Sequence, residues 1–92
     1  MKKNIRVLMI DDNINQIKSV KQYFSSHAVI EVVGSADDGE KGLNLILENH
    51  NSYDIILLDL VMPQKDGVAI LEELRERKID KKIISKRLRR IG

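Results

Sequence analysis

Three aspartates stand where charge is hardest to place. Asp11 and Asp12 follow the apolar run IRVLMI (residues 5–10), and Asp59 follows DIILL in the stretch LLDLVMPQKDG (residues 57–67). A buried strand that ends on a carboxylate needs a use for it, because burying an uncompensated charge is costly. If the two runs are neighbouring strands of a parallel sheet, all three carboxylates converge at one edge and repel strongly in a partly desolvated site. A hard divalent cation is the usual remedy. Mg²⁺ prefers oxygen ligands, takes one or two carboxylates, and keeps water and phosphate oxygens for the rest. It also screens an incoming phosphoryl group from the surrounding acids. On this reading Asp59 is a nucleophile, and Asp11 and Asp12 are its metal shell. Two blander readings compete. A pair of aspartates after a strand can cap the next helix, and Asp59 alone can be a loop carboxylate. The conjunction favours a site: two acids after one apolar run, one after another, and Pro63 four residues later.

The elements that must position these residues alternate along the chain. Ile5–Ile10 reads as a buried strand. Ile17, Val20 and Phe24 recur at helical spacing within residues 13–26. Val29–Val33 is a second strand, rich in β-branched residues and punctuated by Gly34. Leu43, Ile46, Leu47 and His50 make a second helical stripe after Asp37-Asp38-Gly39. Tyr53–Leu58 is a third strand. Asp66-Gly67 opens a third helix with Ile70, Leu71 and Leu74 on its inner face. The pattern is βαβαβα. Strands this apolar need cover on both faces, which predicts an α/β parallel sheet flanked by helices, with right-handed crossovers. In such sheets the functional crevice lies beyond the carboxyl ends of the strands, where the aspartates fall.

Ninety-two residues make at most one small domain. No apolar run approaches the roughly 18 residues of a membrane span. MKKNIRVLMIDDN starts like a signal peptide, but its apolar run is short and ends on two acids. Cysteine is absent, so no thiolate metal site exists, and a cytoplasmic setting fits. The net charge of +2 hides an asymmetry: residues 1–80 carry 10 Lys/Arg against 14 Asp/Glu, and residues 81–92 carry six Lys/Arg and no acid. A basic charge balance therefore describes the tail rather than the domain, and is no nucleic-acid signal for the whole chain. The expected division is a domain over residues 1–80 and a basic segment over 81–92. In that segment Ile84, Leu88 and Ile91 fall at spacings of four and three, as on a basic amphipathic helix. His27 and His50 lie near helix ends and suit surface or capping roles.

VLMIDDN (7–13), ADDGEKGL (36–43) and DIILLDLVMPQKDGVAILEEL (54–74) together resemble the receiver domain of bacterial two-component response regulators. The wording of the last two stretches is also similar to the sporulation master-regulator type, although many receivers share it. The resemblance covers residues 5 to about 80. It implies a flavodoxin-like fold of the CheY-like kind. It implies that Asp59 is the phosphoacceptor, loaded by a sensor histidine kinase or a phosphotransfer protein, as a switch rather than a turnover enzyme. It implies that Asp12 and Asp59 bind Mg²⁺ directly, that Asp11 ligates through water, and that the Val61 backbone carbonyl completes the set.

The chain departs from that pattern at its end. The resemblance implies further strands and helices, a Ser or Thr at the end of the fourth strand, and a lysine at the end of the fifth. The window for the hydroxyl reads Arg87-Leu88-Arg89. Ser85 fits only if the preceding connection is shortened, and Lys86 is not in a position that matches the family's lysine. The expected architecture is therefore an incomplete receiver, βαβαβα plus a basic segment. With further strands missing, the third strand is expected at the sheet edge. It would be paired there with a second copy as a homodimer, with KKII exchanged between chains as the extra strand, or covered by the basic segment folding back. Direct DNA binding by this segment is not expected. A phospho-independent interaction module with a relic site is the alternative function. A phosphatase with an aspartyl nucleophile of the haloacid-dehalogenase type is disfavoured, because Val61 stands where that chemistry places a second acid.

Overall fold

The apolar runs become strands and the periodic stretches become helices, in the order β1 (Ile5–Ile10), α1 (Ile14–Phe24), β2 (Ile30–Ala36), α2 (Gly39–Glu48), β3 (Ile55–Asp59), α3 (Gly67–Glu76) and β4 (Lys82–Lys86). The computed structural model describes residues 5–49, 51–60, 62 and 66–86. The strands are all parallel and lie in the order β2-β1-β3-β4. This is the expected parallel α/β sheet of flavodoxin-like order, with one strand more than the sequence pattern showed.

Strand alternation divides the core. Leu8 and Ile10 of β1 and Ile56 and Leu58 of β3 pack with Leu43 and Ile46 of α2 and Ile70 and Leu74 of α3. Val7 and Met9 face the other way and are buried too, as is Ile17 of α1. Tyr53 sits under α2, fully buried, and its hydroxyl donates to the Ile46 carbonyl at 3.2 Å. Burial raises the Tyr53 pKa above its ordinary value of 10.0. Lys81, just before β4, approaches Tyr53, donating to its carbonyl at 3.0 Å with the ammonium 4.8 Å from the ring centre.

Each helix opens on a polar cap. Asn13, Asp38 and Asp66 accept from the backbone N–H groups of Gln16, Lys41 and Ala69 at 3.1, 2.8 and 3.0 Å. His27 plays the expected local role: its Nδ1 accepts from the N–H groups of Val29 and Ile30 at the entry to β2. His50 lies outside the described residues.

Four expectations need correction. First, KKII does not begin a helix. Residues 82–86 form β4, paired with β3 from Ile55↔Lys82 to Asp59↔Lys86. The helical spacing of Ile84 loses to the open hydrogen-bonding edge of β3, a case of tertiary pairing overriding local pattern. Leu88 and Ile91 lie outside the described residues. Second, β3 is not an edge. It lies between β1 and β4, so the expected homodimer through an exposed third strand has no free edge to use. Third, the boundary placed after residue 80 falls between α3 and a strand of the same sheet. The connection is short because Lys78 adopts a left-handed conformation (φ 57°) and the Ile79 N–H returns to the Leu74 carbonyl at 3.0 Å. Fourth, β2 does not stop at Gly34. It continues to Ala36 through a register shift, with Val7↔Val32 followed by Leu8↔Gly34.

Candidate functional site

The acid-bearing ends of β1 and β3 are side by side. Their register runs from Val7↔Ile55 to Ile10↔Leu58, so each strand delivers its next residue, Asp11 or Asp59, to the same carboxyl edge. Asp11, Asp12 and Asp59 each offer a carboxylate oxygen, and these oxygens lie within 4.8 Å of one another. The convergence expected from sequence is therefore present in the structure. Asp11 and Asp59 are only 2% and 3% exposed, while Asp12 is half-buried. At that separation two carboxylates repel by on the order of 3 kcal/mol at an effective dielectric of about 20.

Local geometry fixes each acid separately. Asp11 N–H donates to the Ala36 carbonyl of β2 at 3.1 Å. Its Oδ1 accepts from the Asn13 N–H at 2.9 Å, closing the turn that leads into α1. The capping role that the bland reading gave to the aspartates belongs to Asn13. Asp59 is held from the other side by α3. A Cβ on Gly67 would overlap the Asp59 carbonyl oxygen and lie 2.5 Å from the Leu60 Cα. Only glycine lets the first turn of α3 approach so closely, and the Gly67 N–H donates to the Leu60 carbonyl at 3.3 Å. Asp66, the other acid of LLDLVMPQKDG, caps α3 and does not join the cluster. Val61 and Pro63 lie outside the described residues.

The donor set suits a hard cation. Among the described residues it consists of carboxylate oxygens at strand ends, without nitrogen or sulfur ligands. Below the acids, Met9, Val20, Leu57 and Ile84 line a groove of about 160 Å³ that ends at Asp11 and Asp59. Sequence reading missed this groove, since it depends on Ile84 arriving beside Leu57 in β4. Among the described residues, no helix is long and apolar enough to cross a membrane.

Known proteins share both sequence and shape. Residues 7–86 match the response regulator receiver domain. The chain is 39% identical over 80 residues to the transcriptional regulatory protein LiaR of Bacillus subtilis, covering 87% of this chain and 37% of that protein. It therefore spans little more than a third of that relative. The receiver domain of Francisella response regulator 1452 superposes with a TM-score of 0.77 at 35% identity, covering 89% of this chain and 64% of that one. A chain of the CheX–CheY–BeF₃–Mg²⁺ complex from Borrelia burgdorferi superposes with a TM-score of 0.80 at 28% identity, covering 90% and 61%. With the family match running from within β1 to the last residue of β4, and with solved receiver chains superposing on the fold, the chain belongs to the receiver domain family of two-component response regulators.

Proposed function

We propose that Asp59 is the phosphoacceptor of this receiver and that it takes a phosphoryl group from a sensor histidine kinase or a phosphotransfer protein. One observation carries the proposal: three carboxylates from two adjacent strand ends meet within 4.8 Å, two of them buried. A purely structural role would not gather like charges at such cost. The step forms an O–P bond from an Asp59 carboxylate oxygen as the P–N bond of a phosphohistidine breaks, with the imidazole nitrogen keeping the electron pair. The product is an acyl phosphate.

Asp12 and Asp59 would hold Mg²⁺ directly and Asp11 through water, with the Val61 carbonyl as the further protein ligand. When bound, Mg²⁺ supplies charge neutralisation between the carboxylates and the phosphoryl oxygens. The protein's own contribution is placement. β1 and β3 fix the spacing, the Asn13 turn orients Asp11, and the approach of Gly67 seats the Asp59 backbone. The similar fold of a chain from a complex whose name includes Mg²⁺ supports the reading of an Mg²⁺ site here.

Incubation with acetyl phosphate and Mg²⁺ should label the wild type and leave Asp59→Asn unlabelled, as read by intact mass. Isothermal titration should show weak Mg²⁺ binding that Asp12→Ala abolishes. Labelling that persists in Asp59→Asn, or identical titrations of the wild type and Asp12→Ala, overturns the proposal.

A further inference from the structure

We infer that the groove below the acids is a binding site for a small organic cation, with an apolar body of about one ring and a single ammonium group on a short arm. The inference rests on the groove and the acid cluster, and does not require Asp59 to accept a phosphoryl group. The groove floor is a row in register across three strands: Met9 lies opposite Leu57, and Leu57 opposite Ile84. Val20 of α1 closes one side. Ile84 is 48% exposed, so the side toward β4 opens to solvent and gives entry. Asp11 and Asp59 stand two residues beyond Met9 and Leu57, and residues two apart along a strand share a face. One face of the sheet thus carries an apolar row and, about 7 Å further along, two buried carboxylates.

Size and charge select the ligand. A volume of about 160 Å³ is close to the roughly 150 Å³ of an engineered apolar cavity that takes up benzene. It holds one ring or a short alkyl chain. The groove ends on negative charge, so an anionic end is repelled and a neutral polar end gains little. An ammonium group gains most, because its attraction to a carboxylate grows where water is partly excluded. The separation of about 7 Å between row and acids calls for an arm of two or three carbons between ring and charge. The ligand class is therefore the arylalkylamines. The carboxylates that meet the ammonium group are those proposed to meet Mg²⁺, so the two cations exclude each other. Through the groove, the amine concentration sets the occupancy of the metal site.

Methyl-resolved NMR titration of the 92-residue chain with 3-phenylpropylamine tests this. In a chelator, the methyl signals of Met9, Val20, Leu57 and Ile84 should shift with a dissociation constant in the millimolar range. Those of Ile46 and Ile70, in the core on the other face of the sheet, should stay in place. The neutral analogue 3-phenylpropanol should bind about tenfold more weakly, and the anion 3-phenylpropanoate should cause no shift. Saturating Mg²⁺ should weaken the amine about fivefold. Val20→Phe fills the groove from α1 and Ile84→Ala removes its β4 wall. Each should weaken the amine about tenfold, with the Ile46 and Ile70 signals unmoved to show an intact fold. Equal binding of the alcohol and the amine overturns the inference. So does the absence of shifts, or shifts centred instead on Ile14 and Leu45, which line a separate groove between α1 and α2. A chain that binds the amine but takes no label from acetyl phosphate loses the phosphoacceptor reading and keeps this one.

Discussion

At the amino ends of β1 and β3, Arg6 and Asp54 meet as opposite charges; at the carboxyl ends of the same strands, Asp11, Asp12 and Asp59 meet as like charges. Arg6 grips Asp54 at several points: its N–H, Nε and Nη2 donate to the carboxylate at 2.8, 3.2 and 3.1 Å, and the Asp54 N–H donates back to the Arg6 carbonyl at 2.7 Å. The Arg6 hydrogen bonds hold the Asp54 carboxyl below its ordinary value. That end behaves as a clip joining two strands. At the other end like charges crowd within 4.8 Å, an arrangement that suits a cation. One pair of strands therefore carries a clip at one end and the proposed phosphoacceptor site at the other, kept apart by the length of β1.

The sharpest way to break the comparison is Gly67→Ala. The added methyl meets the Asp59 carbonyl and the backbone of Leu60, so α3 must retreat. The expected cost is about 2–4 kcal/mol by urea denaturation. Mg²⁺ binding should fall with it, while the Arg6–Asp54 end should keep its hydrogen bonds. A variant as stable as the wild type would show that α3 does not seat Asp59.

Next in size, Asp59→Asn should stabilise the protein by about 1–2 kcal/mol at neutral pH in the presence of a chelator, because it removes two like-charge repulsions. Added Mg²⁺ should narrow that gain by stabilising the wild type through binding. Thermal melts with and without the ion give both numbers, and a loss of stability in chelator would mean that the acid edge is not strained.

The smallest effect is at the clip and has the opposite sign. Asp54→Asn should destabilise at pH 7 by less than Asp59→Asn stabilises, since the pair is about 40% exposed and screened by solvent. Its pH dependence follows from the lowered Asp54 pKa. The stabilisation is present above the ordinary value of about 3.8 and is lost as pH falls below it. Urea midpoints of wild type and Asp54→Asn should differ at pH 7 and converge as the pH falls below the ordinary value of 3.8. A gap that persists in acid would assign it to packing instead of charge.

The acid end of this comparison was legible in sequence and the clip was not. Asp11, Asp12 and Asp59 announce themselves because each follows an apolar run that must be buried, which fixes the strand end on which they ride. Arg6 and Asp54 are 48 positions apart, and nothing local to either names the other. β4 was hidden for a different reason. KIISK has two apolar residues between lysines, a composition suited to an edge strand, but the spacing of Ile84, Leu88 and Ile91 imitates a helix. The outcome was decided by the unpaired edge of β3, which no window of sequence contains. Gly34 misled similarly: it reads as a terminator, yet within β2 its missing side chain leaves room for Leu8, whose Cδ2 would lie 3.0 Å from an added Cβ.

The strand order β2-β1-β3-β4 also has a consequence in time. β1 is made first and lies in the interior of the sheet. β2 then adds on one side, β3 on the other, and β4 onto β3, so every strand leaving the ribosome finds its docking edge already synthesised. No strand has to wait for a later one to be held, which suits a parallel sheet whose non-local pairings are otherwise slow to form. The nascent chain can assemble outward from its own first strand, and the acid cluster comes together when β3 docks, while β4 is still to come.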